Sequence, residues 1–247
     1  MEQQYNTEIF EKGLETLGIS YTSKQIQQFI SFYELLVEWN KVMNLTGITQ
    51  YEEVISKHFL DSLLIAKAYP MDSVKNFIDV GTGAGFPGIP LKIAYPEMEC
   101  VLMDSLGKRI KFLQAVVDNL QLSGIELVHA RAEDLAKKEN YRESFDLSVS
   151  RAVANLSSLS EYCIPFVKSK GVFVSYKSGE IKEELQQAKK AVGILGGRVE
   201  ACKELTLPGT DIARNFVIVR KESCTPKKYP RKAGLPTKEP LGITITK

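Results

Sequence analysis

Apolar residues recur along this chain in two rhythms, and the change between them falls near residue 75. Upstream, Ile26, Phe29, Ile30, Tyr33, Leu36, Val37 and Trp39 follow a helical spacing, with no glycine between Gly18 and Gly47. That pattern predicts amphipathic helices buried by one face. Thr22 or Ser23 suits the N-cap of the stretch, because a hydroxyl accepts from an exposed helical N–H. Downstream, short β-rich runs at 76–81, 99–104, 125–130, 145–150 and 171–177 alternate with helical patterns at 86–95, 107–121, 156–168 and 181–195. The alternation predicts a mostly parallel sheet covered on both faces. Two more runs, 198–206 and 213–221, follow without an intervening helix and predict an antiparallel edge hairpin turning at Pro208-Gly209. Beyond Arg220, four prolines (Pro226, Pro230, Pro236, Pro240) stand among lysines, a composition that favours extended or disordered chain. Three parts result: an N-terminal helical subdomain at 1–75, an α/β domain at 76–222, and a basic Pro-rich tail at 223–247.

With 44% hydrophobic and 25% charged residues in 247, the chain has material for one substantial core plus an appendage. No N-terminal apolar segment of the secretory kind and no apolar run of about 18 residues is present, so a cytoplasmic protein without membrane contact is expected. Cys100, Cys163, Cys202 and Cys224 form no C-x-x-C pair, and His58 and His129 complete no familiar zinc set. Free thiols and no metal are expected. The net charge of +2 is unevenly spread: residues 223–247 carry +5 and the remainder −3. A tail this basic suits phosphate, although charge runs are as often simply solvated.

The densest chemical signal is Asp79-Val-Gly-Thr-Gly-Ala-Gly-Phe-Pro-Gly-Ile-Pro90, a glycine-rich turn between a strand and a helix. Glycines there permit positive φ and leave out the Cβ atoms that hold a ligand away, while the following helix offers free N–H groups. Gly83-x-Gly85-x-x-Gly88 satisfies the dinucleotide fingerprint, with Asp104 where the ribose-binding acid belongs. Register favours a different cofactor. If the strand ends at Val80, the turn reads Asp-x-Gly-x-Gly-x-Gly, the S-adenosylmethionine (SAM) register. Asp79 would then repel a pyrophosphate but attract the ammonium of a methionyl group.

In an open α/β sheet, ligands lie beyond the carboxyl ends of the strands. Asp104 closes the second strand and can accept ribose hydroxyls; capping the helix that opens at Gly107 is its bland alternative. Ala130-Arg-Ala-Glu133 follows the third strand and Ser150-Arg-Ala-Val153 the fourth. Four strand ends thereby converge on one crevice, and Arg131 and Arg151 share it.

These motifs, together with Val37-Glu-Trp-Asn-Lys-Val-Met-Asn-Leu-Thr46, Lys57-His-Phe-Leu-Asp-Ser-Leu63, Lys108-Arg109 and Thr225-Pro-Lys-Lys-Tyr-Pro-Arg-Lys232, resemble the RsmG (GidB) family over nearly the whole chain. The resemblance implies a class I SAM-dependent methyltransferase (Rossmann-like) fold, with a seven-stranded, mostly parallel sheet and terminal antiparallel hairpin. It implies methyl transfer to N7 of a guanine in 16S rRNA of the small ribosomal subunit, by direct in-line displacement without a general base. SAM contacts carry over onto Gly81, Gly83, Gly85, Phe86, Asp104, Ser105, Ala132, Glu133 and Arg151. Arg131, Arg151 and Lys177 are implied as a positioning rim. Asn44, His58 and Asp61 are candidates to line the approach of the base, with hydrogen bonding between layers as the alternative. Lys227, Lys228, Arg231 and Lys232 are candidates to meet RNA. A monomer acting on the 30S subunit or its assembly intermediate is expected. A nicotinamide-dependent oxidoreductase, a small-molecule methyltransferase and a SAM-holding RNA-binding protein stand as alternatives.

Overall fold

The computed structural model describes residues 5–151 and 154–243. Ala152 and Val153 of the Ser150–Val153 motif, and the last four residues of the tail, lie outside the described residues.

Three helical stretches precede the sheet. Helix α1 (Glu8–Leu17) ends on Gly18 in the left-handed region, and α2 (Ser23–Met43) starts from Thr22. The Thr22 hydroxyl accepts from Gln25 N while the Gln25 carboxamide accepts from Thr22 N, a reciprocal capping box. The third stretch runs through α3 (Tyr51–Val54), a π-helical segment Ile55–Leu60, α4 (Asp61–Leu63) and α5 (Ile65–Ala68).

Strand β1 (Asn76–Val80) leads to α6 (Gly88–Ala94), β2 (Glu99–Asp104) to α7 (Gly107–Leu120), and β3 (Ile125–His129) to α8 (Ala132–Leu135). Then follow β4 (Phe145–Ser150), α9 (Leu156–Cys163), β5 (Val167–Lys177) and α10 (Lys182–Ile194). The chain closes with β6 (Gly197–Thr206), β7 (Ala213–Lys221) and the single turn α11 (Leu235–Lys238). Strand β5 begins earlier than its pattern predicts. Pro165 has no N–H to continue α9, so a 3₁₀ turn at Ile164–Phe166 intervenes and Val167 already pairs with Phe145.

The strands form one seven-stranded sheet in the order β3-β2-β1-β4-β5-β7-β6, parallel except for β7, which is antiparallel to both neighbours. Strand order reverses between β1 and β4, so the crevice lies beyond Val80 and Ser150. Alternate residues serve opposite faces. Phe77, Val172 and Val174 join the core that includes Phe10, Phe29, Phe32 and Phe59 of the N-terminal helices. Ile78 and Phe173 join the other core, under α8 to α10. Residue 75 therefore marks a change of layer, since the N-terminal helices share one hydrophobic core with the sheet.

The tail differs from its compositional expectation of extended or disordered chain. Arg142 donates to the carbonyls of Thr225 (2.7 Å) and Tyr229 (2.9 Å), Thr225 N donates to Glu143 Oε1, and the Tyr229 ring is buried in the second core. These partners come from the loop before β4, about 80 residues upstream, where composition cannot reveal them.

Candidate active site at the carboxyl ends of the strands

The glycine turn is fixed to its neighbours by backbone geometry. Gly81 N and Thr82 N both donate to Met103 O at 3.0 Å, and Gly83 N donates to Asp104 Oδ2 at 3.0 Å. Gly81 (φ 75°) and Gly83 (φ 63°) take conformations that favour glycine, and a Cβ at either would meet no atom within 4 Å. Open space above two glycines is what a bound ligand needs. Gly85 serves the packing of α6 instead of facing the cavity, because a Cβ there would lie 2.7 Å from Ile89 and 3.0 Å from Leu113.

Asp79 departs from its expected role as partner of an ammonium group. It is wholly buried and accepts from Gly88 N at 2.9 Å, so it anchors the start of α6 from beneath. Burial pushes its pKa up from 3.8 to about 7. The cavity itself is lined by Gly81, Asp104, Ser105, Arg131, Ala132 and Glu133, with Val80, Met103, Ala130 and Leu159 as its apolar part. Asp104 is well occupied, since Oδ2 accepts from Gly83 N and from Arg109 Nη1 at 3.0 Å while Oδ1 accepts from Leu106 N at 2.9 Å. Glu133 accepts from Gly234 N at 2.9 Å. Arg131 is exposed and makes no side-chain bond to a described residue.

These residues fit SAM. A carboxylate offers about four lone-pair positions, so Asp104, which already accepts three bonds, keeps about one for a ribose hydroxyl, and Glu133, which accepts one, keeps room for an adenine amine. The apolar walls suit the faces of a purine, and the space over Gly81 and Gly83 suits the methionyl end.

A second cavity adjoins the first across consecutive residues at the end of β4: Ser150 lines the former and Arg151 the latter. Its wall holds Asp61, Arg151, Tyr176, Lys177, Glu184 and Arg214. Asp61, almost entirely buried, accepts from Arg151 Nη1 at 2.7 Å through one oxygen and from Arg214 Nε at 2.8 Å through the other. Asp61 N bonds Ser56 O, five residues back in the π-helical turn, and His58 and Asp61 from this turn both reach Arg151, the residue after β4. His58 lies nearly parallel to Phe86 with ring centroids 4.6 Å apart, and the Arg151 guanidinium sits 5.0 Å from the Phe86 centroid. Burial, and then the Arg151 charge, push the His58 pKa down from 6.5 to about 4. Its Nε2 lies 2.8 Å from the Thr46 hydroxyl.

The predicted residues thus divide into two groups. Arg131 borders the first cavity, whereas Arg151 and Lys177 border the second, so they do not form one rim. Lys177 Nζ donates to Glu184 Oε1 and to Ala154 O, both at 2.7 Å. The Phe86 side chain faces the N-terminal layer, and Asn44 stands in the left-handed cap of α2. In the tail, Lys227, Lys228 and Lys232 are exposed, but Arg231 departs from the expected role of an RNA contact. Its guanidinium is turned inward onto the fully buried Glu161, with Nη2 2.7 Å from Oε2.

Sequence reasoning missed Asn40, Glu161, Glu184 and Arg214. Asn40 Oδ1 accepts from Leu45 N (2.6 Å) and Thr46 N (2.9 Å), shaping the turn that delivers Thr46 to His58. Its signal was local, an asparagine inside the Trp39–Thr46 motif. Arg214 had none, since 153 residues separate it from Asp61. Among the described residues, no group of three or more His, Cys, Asp or Glu could hold a metal ion, and no helix is long and apolar enough to cross a membrane.

Residues 25–215 match the family model described as GidB, rRNA small subunit methyltransferase G. The ribosomal RNA small subunit methyltransferase G of Lachnoclostridium phytofermentans is 52% identical over 232 residues, covering 94% of this chain and 96% of that relative. Its Brevibacillus brevis counterpart is 50% identical over 234 residues, covering 95% and 98%. Among solved structures, an O-methyltransferase from Bacillus cereus in complex with SAH aligns with a TM-score of 0.54 at 14% identity, covering 78% of this chain and 91% of that one. That likeness is one of fold. The sequence matches carry more, and by them the chain belongs to the rRNA small subunit methyltransferase G (GidB) family.

Proposed function

We propose that this protein is a monomeric, cytoplasmic methyltransferase that modifies N7 of a guanine in 16S rRNA, on the 30S subunit or its assembly intermediate. SAM would supply an electrophilic methyl group when bound. Gly81, Gly83, Asp104, Ser105, Ala132 and Glu133 would hold it.

The observation that carries the reading is the composition of the second cavity. Three cations and two carboxylates leave a formal charge of +1, and every carboxylate is already engaged. Glu184 accepts from Lys177 and from Leu156 N, and the nearby His58, its pKa pushed down to about 4, is a weak base. Nothing there is set up to remove a proton. Guanine N7 needs no such group, because it carries a lone pair and no hydrogen. Its neighbour O6 is an acceptor, and arginine is the usual partner of that edge. Arg151 and Arg214 supply N–H donors while Asp61 holds both guanidiniums in place and offsets their charge. The methylated ring gains positive charge, so a nearly balanced wall suits it better than a bare cationic one. The remaining requirement is alignment, which can contribute roughly 7–11 kcal/mol. A base held here must first leave any stack.

Incubation with methyl-labelled SAM and, separately, 30S subunits, naked 16S rRNA and a metabolite extract tests the proposal. Label in 16S rRNA at a guanine that becomes cleavable by borohydride and aniline is the expected result. Label on another atom, or only on a small molecule, would overturn it. Calorimetric titration with SAM and NAD addresses the oxidoreductase alternative.

A further inference from the structure

The C-terminal segment joins the donor cavity in a way its composition does not suggest. Gly234 and Thr237 line that cavity beside Asp104, Ala132 and Glu133. Gly234 N donates to Glu133 Oε1 at 2.9 Å, on the carboxylate that faces the donor. Thr237 Oγ1 lies 2.8 Å from the hydroxyl of Tyr162, itself a lining residue from α9, and Ser158 Oγ donates to Pro236 O at 2.7 Å. The segment is clamped just upstream. Arg231 donates from its backbone N, Nε and Nη2 to the Glu161 carboxylate at 2.7–3.1 Å, and Nη2 also reaches Glu239 O at 2.8 Å. A planar guanidinium on a buried carboxylate is a geometrically specific lock. Arg231 thereby fixes the backbone three residues before Gly234 and ties the two ends of the segment together.

We propose that residues 231–239 form a strap that is the outer wall of the SAM cavity, with Arg231 and Gly234 as positioning residues that set donor affinity through Glu133. The proposal rests on the reading of that cavity as the SAM site. It divides the tail by face. Lys227, Lys228, Lys232 and Lys238 are exposed and remain available to phosphate, whereas Arg231, Gly234 and Pro236 engage the body of the protein. Because binding linkage is reciprocal, a donor that prefers the docked strap must also hold the strap docked.

Two measurements on the full chain, with S-adenosylhomocysteine (SAH) as the probe, test this. In the wild-type protein, saturating SAH should slow hydrogen exchange of the Gly234 amide and tryptic cleavage after Lys232 and Lys238. In Arg231→Ala, SAH affinity should fall about tenfold, within the usual range of coupling between sites, while the KM for RNA stays within about twofold. Arg231→Lys should recover part of the loss. The triple variant Lys227→Ala, Lys228→Ala, Lys232→Ala should show the converse, a weakened RNA KM with unchanged SAH affinity. Unchanged exchange and cleavage on SAH binding would overturn the proposal, and so would a folded Arg231→Ala protein with wild-type SAH affinity. If Arg231→Ala does not fold, wild-type exchange alone decides. Failure of the wild-type protein to bind SAH would instead refute the cofactor reading itself.

Discussion

The two cavities at the top of the sheet are built by opposite means. The cavity beside the glycine turn, proposed to hold the donor, is mostly backbone: three glycine-turn amides bonded to β2, the carboxylates of Asp104 at the end of β2 and Glu133 in α8, and small or apolar walls. The second cavity is mostly side chain, with its charges drawn from α4, β5, α10, β7 and the residue that follows β4. A backbone cavity binds by shape and by groups that cannot rotate away. A side-chain cavity is held by ion pairs, and losing one member leaves its partners buried and unsatisfied. The second cavity should therefore be the more fragile of the two, and substitutions can show whether it is.

The largest effect is expected at Asp61. Asp61→Ala leaves Arg151 and Arg214 facing each other without their shared carboxylate, and breaking such a buried pair costs about 3 kcal/mol or more. Both guanidiniums keep some contact with solvent, so the lower figure is the better guide. Urea unfolding should register that loss, and RNA methylation should fall to background while SAH affinity in the folded fraction is kept. A stable, active Asp61→Ala protein would show that the arginines do not depend on it.

Next is Gly88→Ala, which attacks the donor cavity from beneath. The new Cβ would lie 2.3 Å from Leu102 Cδ2 and 2.9 Å from Asp79 Oδ2, so α6 must shift. Overpacking of this kind costs about 1–3 kcal/mol. SAH affinity should drop together with the melting temperature; if affinity is untouched, the glycine turn is less tightly coupled to α6 than its hydrogen bonds indicate.

A smaller effect is expected at Lys177. Lys177→Ala removes a donor to Ala154 O and unpairs Glu184, although Glu184 keeps Leu156 N. About tenfold lower kcat/KM for RNA, equivalent to about 1.4 kcal/mol, is expected with SAH affinity unchanged. Equal loss of SAH affinity would mean that Lys177 supports the donor cavity as well.

The same contrast explains what was legible in the sequence. The strands and the glycine turn were readable because their determinants are local: short β-rich runs between helical patterns, then glycines at fixed offsets from a strand end. Asp104 and Glu133 followed from their positions at strand ends. The second cavity was only partly readable, Arg151 from its strand end and Asp61 and Lys177 through motif resemblance. Arg214 escaped because a partner 153 residues away leaves no spacing to detect. The docked tail escaped for a related reason. Its prolines and lysines resemble disordered chain, and the groups that dock it, Arg142, Glu143 and Glu161 foremost, lie outside the tail.

The smallest effect expected of the intact protein comes from two buried groups, Asp79 and His58, whose titrations oppose each other. Burial raises Asp79 from 3.8 to about 7, so the folded state holds a proton that the unfolded state has released, and this contribution to stability is lost as pH rises from about 4 to 7. His58 is lowered from 6.5 to about 4, so the unfolded state holds the extra proton, and this contribution grows as pH rises from about 4 to 6.5. Each slope is about 1.4 kcal/mol per pH unit where only one form is protonated. Between about pH 5 and 6.5 they should nearly cancel, leaving a flat profile in chemical denaturation. Asp79→Asn keeps an acceptor for Gly88 N but cannot titrate, so its stability should climb with pH across that window. His58→Gln should do the reverse. Identical profiles for Asp79→Asn and the wild type would show that Asp79 is already ionised in the folded protein, and the glycine turn would then sit over a buried negative charge.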